Sequence, residues 1–179
     1  LLSVFAPLFT RYDYFEQDLK SYRKAPAAEH VLGTDSFGRD VWSRLLYGGR
    51  VSLQVGIMAV AVYELIAIVL GSLAGYYRGR LDDLIMRAVD VVLCFPTLMV
   101  IIFIVAILGP NLQNTVIVIG LLGWPGPTRL VRGQILSLRE TDYVMAARSL
   151  GVFDRRIIFR HVLPGVLPPL IVHATFGVA

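Results

Sequence analysis

The sequence TDYVMAARSLGVFDRRIIFRHVLP, residues 141–164, determines how the rest of the chain is arranged. It is basic and polar, and it lies between apolar runs of membrane-spanning length, so we expect it outside the lipid. Asp142 is a candidate N-cap, and Gly151 is placed just beyond a helix C-terminus. Four apolar residues at spacings of three and four share one face of this predicted helix: Tyr143, Ala146, Ala147 and Leu150.

A second short helix is predicted directly after Gly151. Asp154 is its candidate N-cap, and the Leu163-Pro164 pair is expected to end it, because the residue before a proline disfavours helical geometry. One side of it carries Ile157, Ile158, His161 and Val162. Two short helices that are joined at a glycine outside a membrane are typical of a segment that binds a partner protein.

The composition indicates a membrane protein. The chain has 179 residues, of which 56% are hydrophobic, and long apolar runs rather than scattered residues account for that excess. The net charge of +4 comes mainly from arginines in two short loops, which is a signal of membrane topology rather than of nucleic-acid binding. The lone Cys94 lies in an apolar run and is interpreted as a packing residue.

The spacing predicts an all-α, polytopic transmembrane bundle, truncated at both ends. Residues 1–50 are expected to hold the end of a first transmembrane helix, an external loop and an interfacial helix. Residues 51–179 are expected to form a transmembrane domain with a cytoplasmic loop at about residues 135–164. Its spans are predicted at residues 51–77, 84–108, 114–138 and 165–179, the third interrupted at Trp124-Pro125-Gly126-Pro127.

Charge sets the predicted orientation of these spans. Residues 78–87 carry three arginines, and residues 128–160 carry seven arginines against three acidic residues. The loop at residues 109–113 carries no charge. By the positive-inside rule, the 78–83 and 135–164 segments are cytoplasmic and residues 10–50 are external.

Two positions inside the spans are candidates for a translocation pathway. Glu64 is mid-span, where an exposed carboxylate costs several kcal/mol, so it is expected to face protein or water. Ala67, Gly71 and Gly75 share its helix face and permit close helix contact. Pro96 is expected to kink its helix, by removing a backbone donor. A buried polar contact at Glu64 and a packing bend at Pro96 are the alternatives.

Catalysis by this chain is not expected. It lacks the GxxxxGK[ST] phosphate-binding motif, so any ATP hydrolysis belongs to another subunit. Its three histidines, His30, His161 and His173, are predicted at different sides or depths of the membrane, so no shared metal site is expected. Glu64 has no mate in the sequence pattern that would make a catalytic pair. We therefore predict no catalytic, metal or cofactor-binding residues.

Two motifs resemble those of a known family. Ala146-Ala147, three residues, Gly151, nine residues and His161-x-Leu163-Pro164 are similar to the EAA loop of bacterial ABC-importer permeases. The stretch from Gly33 to Gly48 is similar to a GTDxxGRDxxSRLxxG signature. The chain resembles the C-type permease subunit of the dipeptide/oligopeptide/nickel branch. Met145 replaces the family's glutamate; with Asp142 as N-cap, Met145→Glu would complete a capping box.

The resemblance implies a type I importer fold in a bacterial inner membrane, with no cofactor bound by this chain. It implies a homologous second permease subunit, two ATPase subunits that use the ATP, an external solute-binding protein, surrounding membrane lipid and no nucleic acid. Peptides are the expected substrates; nickel, glutathione or another small solute are alternatives. An ion-coupled secondary transporter using Glu64 is the alternative from another class.

The resemblance also implies which residues couple transport to the ATPase. They are expected in the EAA-like loop, with Arg148 at the rim of the ATPase groove. The predicted coupling residues are Asp142, Tyr143, Met145, Ala146, Ala147, Arg148, Leu150, Gly151, His161, Leu163 and Pro164.

Overall fold

The computed structural model describes residues 2–178, and nearly all of its regular structure is helical. The chain divides into two compact units, Leu1–Gln54 and Val55–Ala179. A 3₁₀ turn covers Leu19–Ser21 and a π-helical turn covers Ile158–Val162. The helices are α1 Ala6–Phe9, α2 Val41–Tyr77, α3 Gly79–Leu93, α4 Thr97–Leu108, α5 Leu112–Leu122, α6 Pro125–Leu138, α7 Asp142–Ser149, α8 Asp154–Ile157 and α9 Leu163–Val178.

The first unit is organised by two carboxylates. Asp40 caps the start of α2 by accepting a hydrogen bond from the Ser43 backbone N–H at 2.8 Å, and its other oxygen lies 3.0 Å from His30 Nδ1. Asp35 accepts from the side chains of Arg39 and Arg44. Within residues 2–178 no three His, Cys, Asp or Glu side chains group as metal ligands. These carboxylates therefore order the loop before α2.

Asp35 is strongly held in its ionised form. Burial by itself raises the pKa of this carboxyl, but two backbone N–H groups and two guanidinium groups donate hydrogen bonds to it. The net result is a pKa well below the usual range for aspartate. Asp35 therefore stays charged at any physiological pH.

Helix α2 is a continuous span of 37 residues. The interfacial helix expected before residue 50 is not separate; it is the first part of α2, because no proline interrupts the chain between Val41 and Tyr77 and the helix accommodates the glycines in this stretch. The predicted loop at residues 78–83 is also wrong. Arg78 alone, at a φ of 58°, turns the chain, and α3 begins at Gly79.

The predicted spans are recovered in part. Two helical stretches are long and apolar enough to cross a membrane, Val41–Tyr77 and Asp154–Val178. A third exists if α3 and α4 together make one broken span, bent by 77°. The bend lies at Cys94–Pro96, so the predicted Pro96 kink is confirmed, and Pro96 becomes the N-cap of α4. Nothing in the structure tests whether it lines a pathway.

The third predicted span is two helices. Helix α5 ends at Gly123, and α6 starts with Pro125 in its first turn, where a missing N–H costs nothing. The predicted interruption is therefore confirmed in part: the break lies at Gly123 and Trp124, whereas Pro125, Gly126 and Pro127 belong to α6. The 11 residues of α5 reach about 17 Å, which is too short to cross a bilayer alone.

Small residues let α2 approach α6 closely. A Cβ added at Gly71 would lie 2.7 Å from Val131 Cβ, and one at Gly75 would lie 2.9 Å from the Arg132 carbonyl oxygen. Ala67, on the same stripe, is fully buried. The predicted small-residue contact face is confirmed, and its partner is α6.

We predict that Gly71→Ala destabilises the protein by about 1–3 kcal/mol, because the added methyl overpacks the α2–α6 contact. The matched control is Gly133→Ala on α6, where an added Cβ meets no described atom within 4 Å. That change should be neutral or stabilising by up to about 1 kcal/mol, since alanine favours helix more than glycine. Unfolding in mixed micelles measures both; equal effects would contradict the close contact.

Candidate functional site

Helix α7 begins one residue earlier than its sequence suggests. Thr141, in extended geometry, is the N-cap, and its carbonyl accepts the N–H groups of Val144 and Met145 at 3.0 Å. Asp142 is the first helical residue and is not the cap. The third helical position is therefore Val144 rather than Met145. A glutamate at 145 would not complete a capping box, so that expectation for Met145→Glu is wrong.

The C-terminus of α7 is a complete Schellman motif. Gly151 has a φ of 74°, in the left-handed region that glycine adopts without strain. Its N–H donates to the Arg148 carbonyl at 3.0 Å, and the Val152 N–H donates to the Ala147 carbonyl at 3.2 Å. The predicted role of Gly151 is confirmed: it ends the helix and turns the chain towards α8.

One face of α7 is buried in the protein's own core. Val144 is 0% and Ala147 is 8% exposed, and both belong to a cluster with Tyr76, Ile135 and Ile157. We had placed Ala147 on a face that a partner would grip, and this placement is wrong. The spacing counted from Tyr143 leaves out Val144. Because Val144 is buried, the buried face of α7 is rotated by one residue from the predicted apolar face.

The rest of α7 is exposed and carries apolar side chains beside the polar Asp142, Arg148 and Ser149. Leu150 is 83% exposed, and Phe153, just after the turn, is 84% exposed. Exposed groups on this face of the helix are Tyr143, Met145 and Ala146. We call the set Tyr143, Met145, Ala146, Leu150 and Phe153 the outer face of α7. Contiguous exposed apolar side chains at a polar end of a bundle are typical of an interaction surface.

The segment after Gly151 is tied to the end of α2 by polar contacts. The Tyr76 hydroxyl donates to Asp154 at 2.6 Å, and Arg139 donates to the Tyr76 carbonyl at 2.7 Å. Asp154 was expected to cap α8, but Phe153 is the N-cap and the Asp154 carboxylate is used by Tyr76 instead. The Arg148 guanidinium lies 5.5 Å from the Tyr76 ring centre, so it contacts this chain while remaining exposed.

The second short helix does not end at Leu163-Pro164. Helix α8 continues through the π-helical turn Ile158–Val162 into α9, and the whole stretch Asp154–Val178 has 25 residues. Pro164 lies in the first turn of α9. Its missing N–H comes directly after the π-helical turn, whose wider geometry has already shifted the backbone hydrogen bonds. His161 and Leu163 are half-buried within this continuous helix.

The two segments predicted to be cytoplasmic lie at the same end of the second unit. Arg132 donates two hydrogen bonds to Asp82, at 2.5 and 2.6 Å, and Arg78 lies 3.6 Å from Glu140. Asp90 of α3 binds Arg129 of α6. The shared location of these two segments agrees with the prediction that both are on the same side of the membrane.

Glu64 has a partner that sequence reasoning missed. His173 Nδ1 lies 2.8 Å from Glu64 Oε1, joining α2 to α9, and Glu64 is only 7% exposed. The geometry fits an Nδ1–H that donates to the carboxylate. The Tyr63 ring stands edge-on to the imidazole, with centroids 6.3 Å apart. The expectation that Glu64 has no mate is therefore wrong, and the alternative of a buried polar contact is supported.

Depth along the two helices was the available signal. Glu64 lies thirteen residues before Tyr77, and His173 lies ten residues after Leu163. Helix α2 ends and α9 begins at the same end of the bundle, so the two side chains lie roughly 20 Å and 15 Å along their helices from that end. Counting depth from the shared end would have brought them together.

Comparison with known proteins identifies the family. The sequence model described as the binding-protein-dependent transport system inner membrane component matches residues 67–179, which include α7 and the continuous α8–α9 helix. The chain belongs to this family. Membership confirms the all-helical transmembrane fold and the inner-membrane location that the sequence predicted.

Individual relatives of this permease family agree with the resemblance. The dipeptide transport system permease protein DppC of Alkalihalophilus pseudofirmus is 48% identical over 99% of this chain. The oligopeptide transport system permease protein OppC of Bacillus subtilis is 35% identical over 99% of it. The glutathione transport system permease protein GsiD of Pectobacterium atrosepticum is 43% identical over 89%. The chain spans 58%, 58% and 52% of these relatives, respectively.

We predict a measurable coupling between Glu64 and His173 in the permease. A double-mutant cycle with Glu64→Ala and His173→Ala should give a coupling free energy of about 1 kcal/mol, the size found for hydrogen bonds between membrane helices. Unfolding of the reconstituted protein in a denaturing detergent measures it. A coupling near zero would show that the contact does not hold α2 to α9.

Proposed function

We propose that this chain is the membrane-spanning permease subunit of a binding-protein-dependent ABC importer for di- and oligopeptides. Separate ATPase subunits drive it, and they contact the outer face of α7. The observation that carries the proposal is the division of α7 into a buried face, seated on this protein's core, and an exposed apolar face.

The packing of α7 against the core cluster supports a mechanical role. A helix of eight residues is too short to be stable alone, so its position depends on Val144 and Ala147 in the core cluster. A partner that moves the outer face must therefore move the cluster with it. The Schellman turn at Gly151 and the Tyr76–Asp154 hydrogen bond make the joint rigid.

Two membrane helices meet where α7 packs against the core cluster. Tyr76 is at the end of α2, and Asp154 opens the helix that runs without interruption into α9. Movement of α7 would thus reach both helices as a rigid-body displacement. In the proposed cycle, closure of the ATPases pulls α7 and tilts these helices between inward-open and outward-open arrangements. The energy comes from ATP hydrolysis in the partner, and this chain transmits the movement to its membrane helices.

Partners and substrate follow from the family and its relatives. A homologous second permease subunit would complete the pathway, and an external solute-binding protein would deliver the substrate. Residues 10–50, ordered by Asp35 and Asp40, are the proposed docking region for that protein. Peptides are favoured because two of the relatives named above are a dipeptide and an oligopeptide permease protein. Glutathione, itself a small peptide, fits the same chemistry.

Two adjacent alanines test the docking proposal. We predict that Ala146→Asp, on the exposed face, lowers dipeptide uptake at least tenfold with an unchanged amount of folded protein, because a carboxylate disrupts an apolar contact. Ala147→Asp should instead lower the amount of folded protein, because it buries an unpaired charge in the core cluster. Uptake of radiolabelled dipeptide and the quantity of membrane-extracted protein are measured together.

The proposal fails if Ala146→Asp transports like the wild type. It also fails if both variants lose folded protein equally, since the two faces would then be equivalent.

The Glu64–His173 contact favours one other function, an ion-coupled transporter in which Glu64 carries a proton. We predict that Glu64→Gln retains most uptake and that this uptake stays dependent on ATP, because the amide oxygen still accepts the His173 hydrogen bond. Uptake in vesicles with ATP, and with only a proton gradient, separates the two functions. Loss of uptake in Glu64→Gln together with gradient-driven uptake in the wild type would favour the ion-coupled transporter.

A further inference from the structure

The helix that runs from α8 into α9 contacts α2 on both sides of its π-helical turn. Before the turn, Asp154 accepts a hydrogen bond from the Tyr76 hydroxyl at 2.6 Å. After the turn, His173 Nδ1 lies 2.8 Å from Glu64 Oε1. Both partners belong to the single helix α2. The separation and the relative angle of Asp154 and His173 must therefore match two positions that α2 sets.

A row of buried side chains along the same helix adds a third requirement. Its members follow one another at intervals of four residues, and all belong to the core cluster around Tyr76: Ile158, Val162, Val166 and Leu170. Four residues of an α-helix exceed one full turn by about 40°, so three such intervals would turn the row by about 120°. A π-helical turn holds more residues and offsets part of this drift at the first interval. The turn therefore helps to keep the row facing the cluster.

The backbone hydrogen bonds show where the additional residue is. The Leu163 N–H donates to the carbonyl of Ile158, five residues earlier, whereas the Ile158 N–H donates to the carbonyl of Asp154, four residues earlier. The π-helical turn thus contains one residue more than an α-helical turn. If the turn became α-helical, this residue would lengthen the helix by about 1.5 Å and rotate its two halves by about 100° relative to each other. Asp154 and His173 could not then both reach α2.

Pro164 disfavours the α-helical alternative at this turn. In a regular α-helix, a proline has no N–H for the carbonyl four residues earlier, and its ring clashes with that carbonyl. For Pro164 this carbonyl belongs to Arg160, which lies inside the π-helical turn. Proline alone does not produce such a turn, because Pro168 and Pro169 lie within α9, which stays α-helical. What distinguishes Pro164 is the turn before it, which also has to match the two contacts with α2.

We propose that Pro164 is a positioning residue that maintains the π-helical turn. The additional residue in the turn lets Asp154 reach Tyr76 while His173 reaches Glu64, so that α8 and the far part of α9 are held at one fixed angle. This register does not depend on what the protein transports. Its consequence for transport rests on the proposed function, in which movement of α7 reaches both membrane helices.

A distance measured along the helix tests the register. Spin labels are attached through Arg156→Cys and Phe176→Cys, at exposed positions on opposite sides of the turn, and the exposed Cys94 is replaced by serine. The full-length protein is purified with its associated subunits without nucleotide, and double electron–electron resonance gives the distance between the labels. Pro164→Ala should lengthen this distance by at least about 1.5 Å, because the turn becomes α-helical.

Removal of one residue provides the matched rescue. Pro164→Ala combined with deletion of the exposed Phe159 should return the distance to that of the parent, because an α-helix with one residue fewer has the same register. Pro164→Ala combined with Phe159→Ala should not, since the number of residues is unchanged. Pro168→Ala alone should leave the distance as it is, because the turn before Pro168 is already α-helical. An unchanged distance in Pro164→Ala would overturn the proposal, and so would equal behaviour of the two Phe159 combinations.

Dipeptide uptake driven by ATP and the amount of folded protein are measured for the same variants. Pro164→Ala should lower uptake at least about fivefold, the smallest usual effect of lost coupling between two sites, and deletion of Phe159 should restore most of it. Parental uptake at a lengthened distance would overturn the positioning role.

The rescue also decides the case in which Pro164→Ala does not accumulate. Accumulation of the combination with the Phe159 deletion, at the parental distance, would then support the proposal, and failure of both proteins to accumulate would overturn it. The absence of dipeptide uptake in the parent would instead contradict the proposed function, and the distances would still decide whether Pro164 maintains the turn.

Discussion

The structure depends on the burial of one face of an eight-residue helix. Helix α7 is too polar to enter lipid and too short to persist alone in water, so it exists because Val144 and Ala147 pack against Tyr76 and its neighbours. This single contact sets the direction of the outer face, the angle at which the chain turns at Gly151, and the point where α8 begins. The same burial leaves Met145, Ala146 and Leu150 exposed on the rest of the helix surface.

The continuous backbone connects the packing of α7 to two long helices. Helices α8 and α9 form one stretch of 25 residues, and the π-helical turn within it shifts the hydrogen-bond register without breaking the helix. The anchor on the other side, Tyr76, belongs to the 37-residue α2. The packing of α7 therefore involves both of the helices that are long and apolar enough to cross a membrane.

In the described residues of the second unit, the helices are held by close approach and by polar contacts between side chains. Gly71 and Gly75 let α2 lie against α6, where larger side chains would overlap with Val131 and Ile135. The Glu64–His173 contact joins α2 to α9 on another side. Helix contacts in lipid gain little from the hydrophobic effect, since the tails are as apolar as the side chains. Van der Waals fit and hydrogen bonds consequently decide which helices stay together.

The sequence by itself determined the all-helical membrane class, a helix break next to Trp124, the kink at Pro96, the glycine turn at residue 151 and the small-residue stripe of α2. Each of these depends on the chemistry of a few neighbouring residues, such as a missing N–H or an absent Cβ. Only the tertiary structure decided that Ala147 faces inward, that Asp154 binds Tyr76, that α8 runs into α9 and that Glu64 meets His173. Those outcomes depend on groups brought together from distant parts of the chain. Local periodicity cannot distinguish a face that packs on its own protein from one that awaits another, because both are apolar.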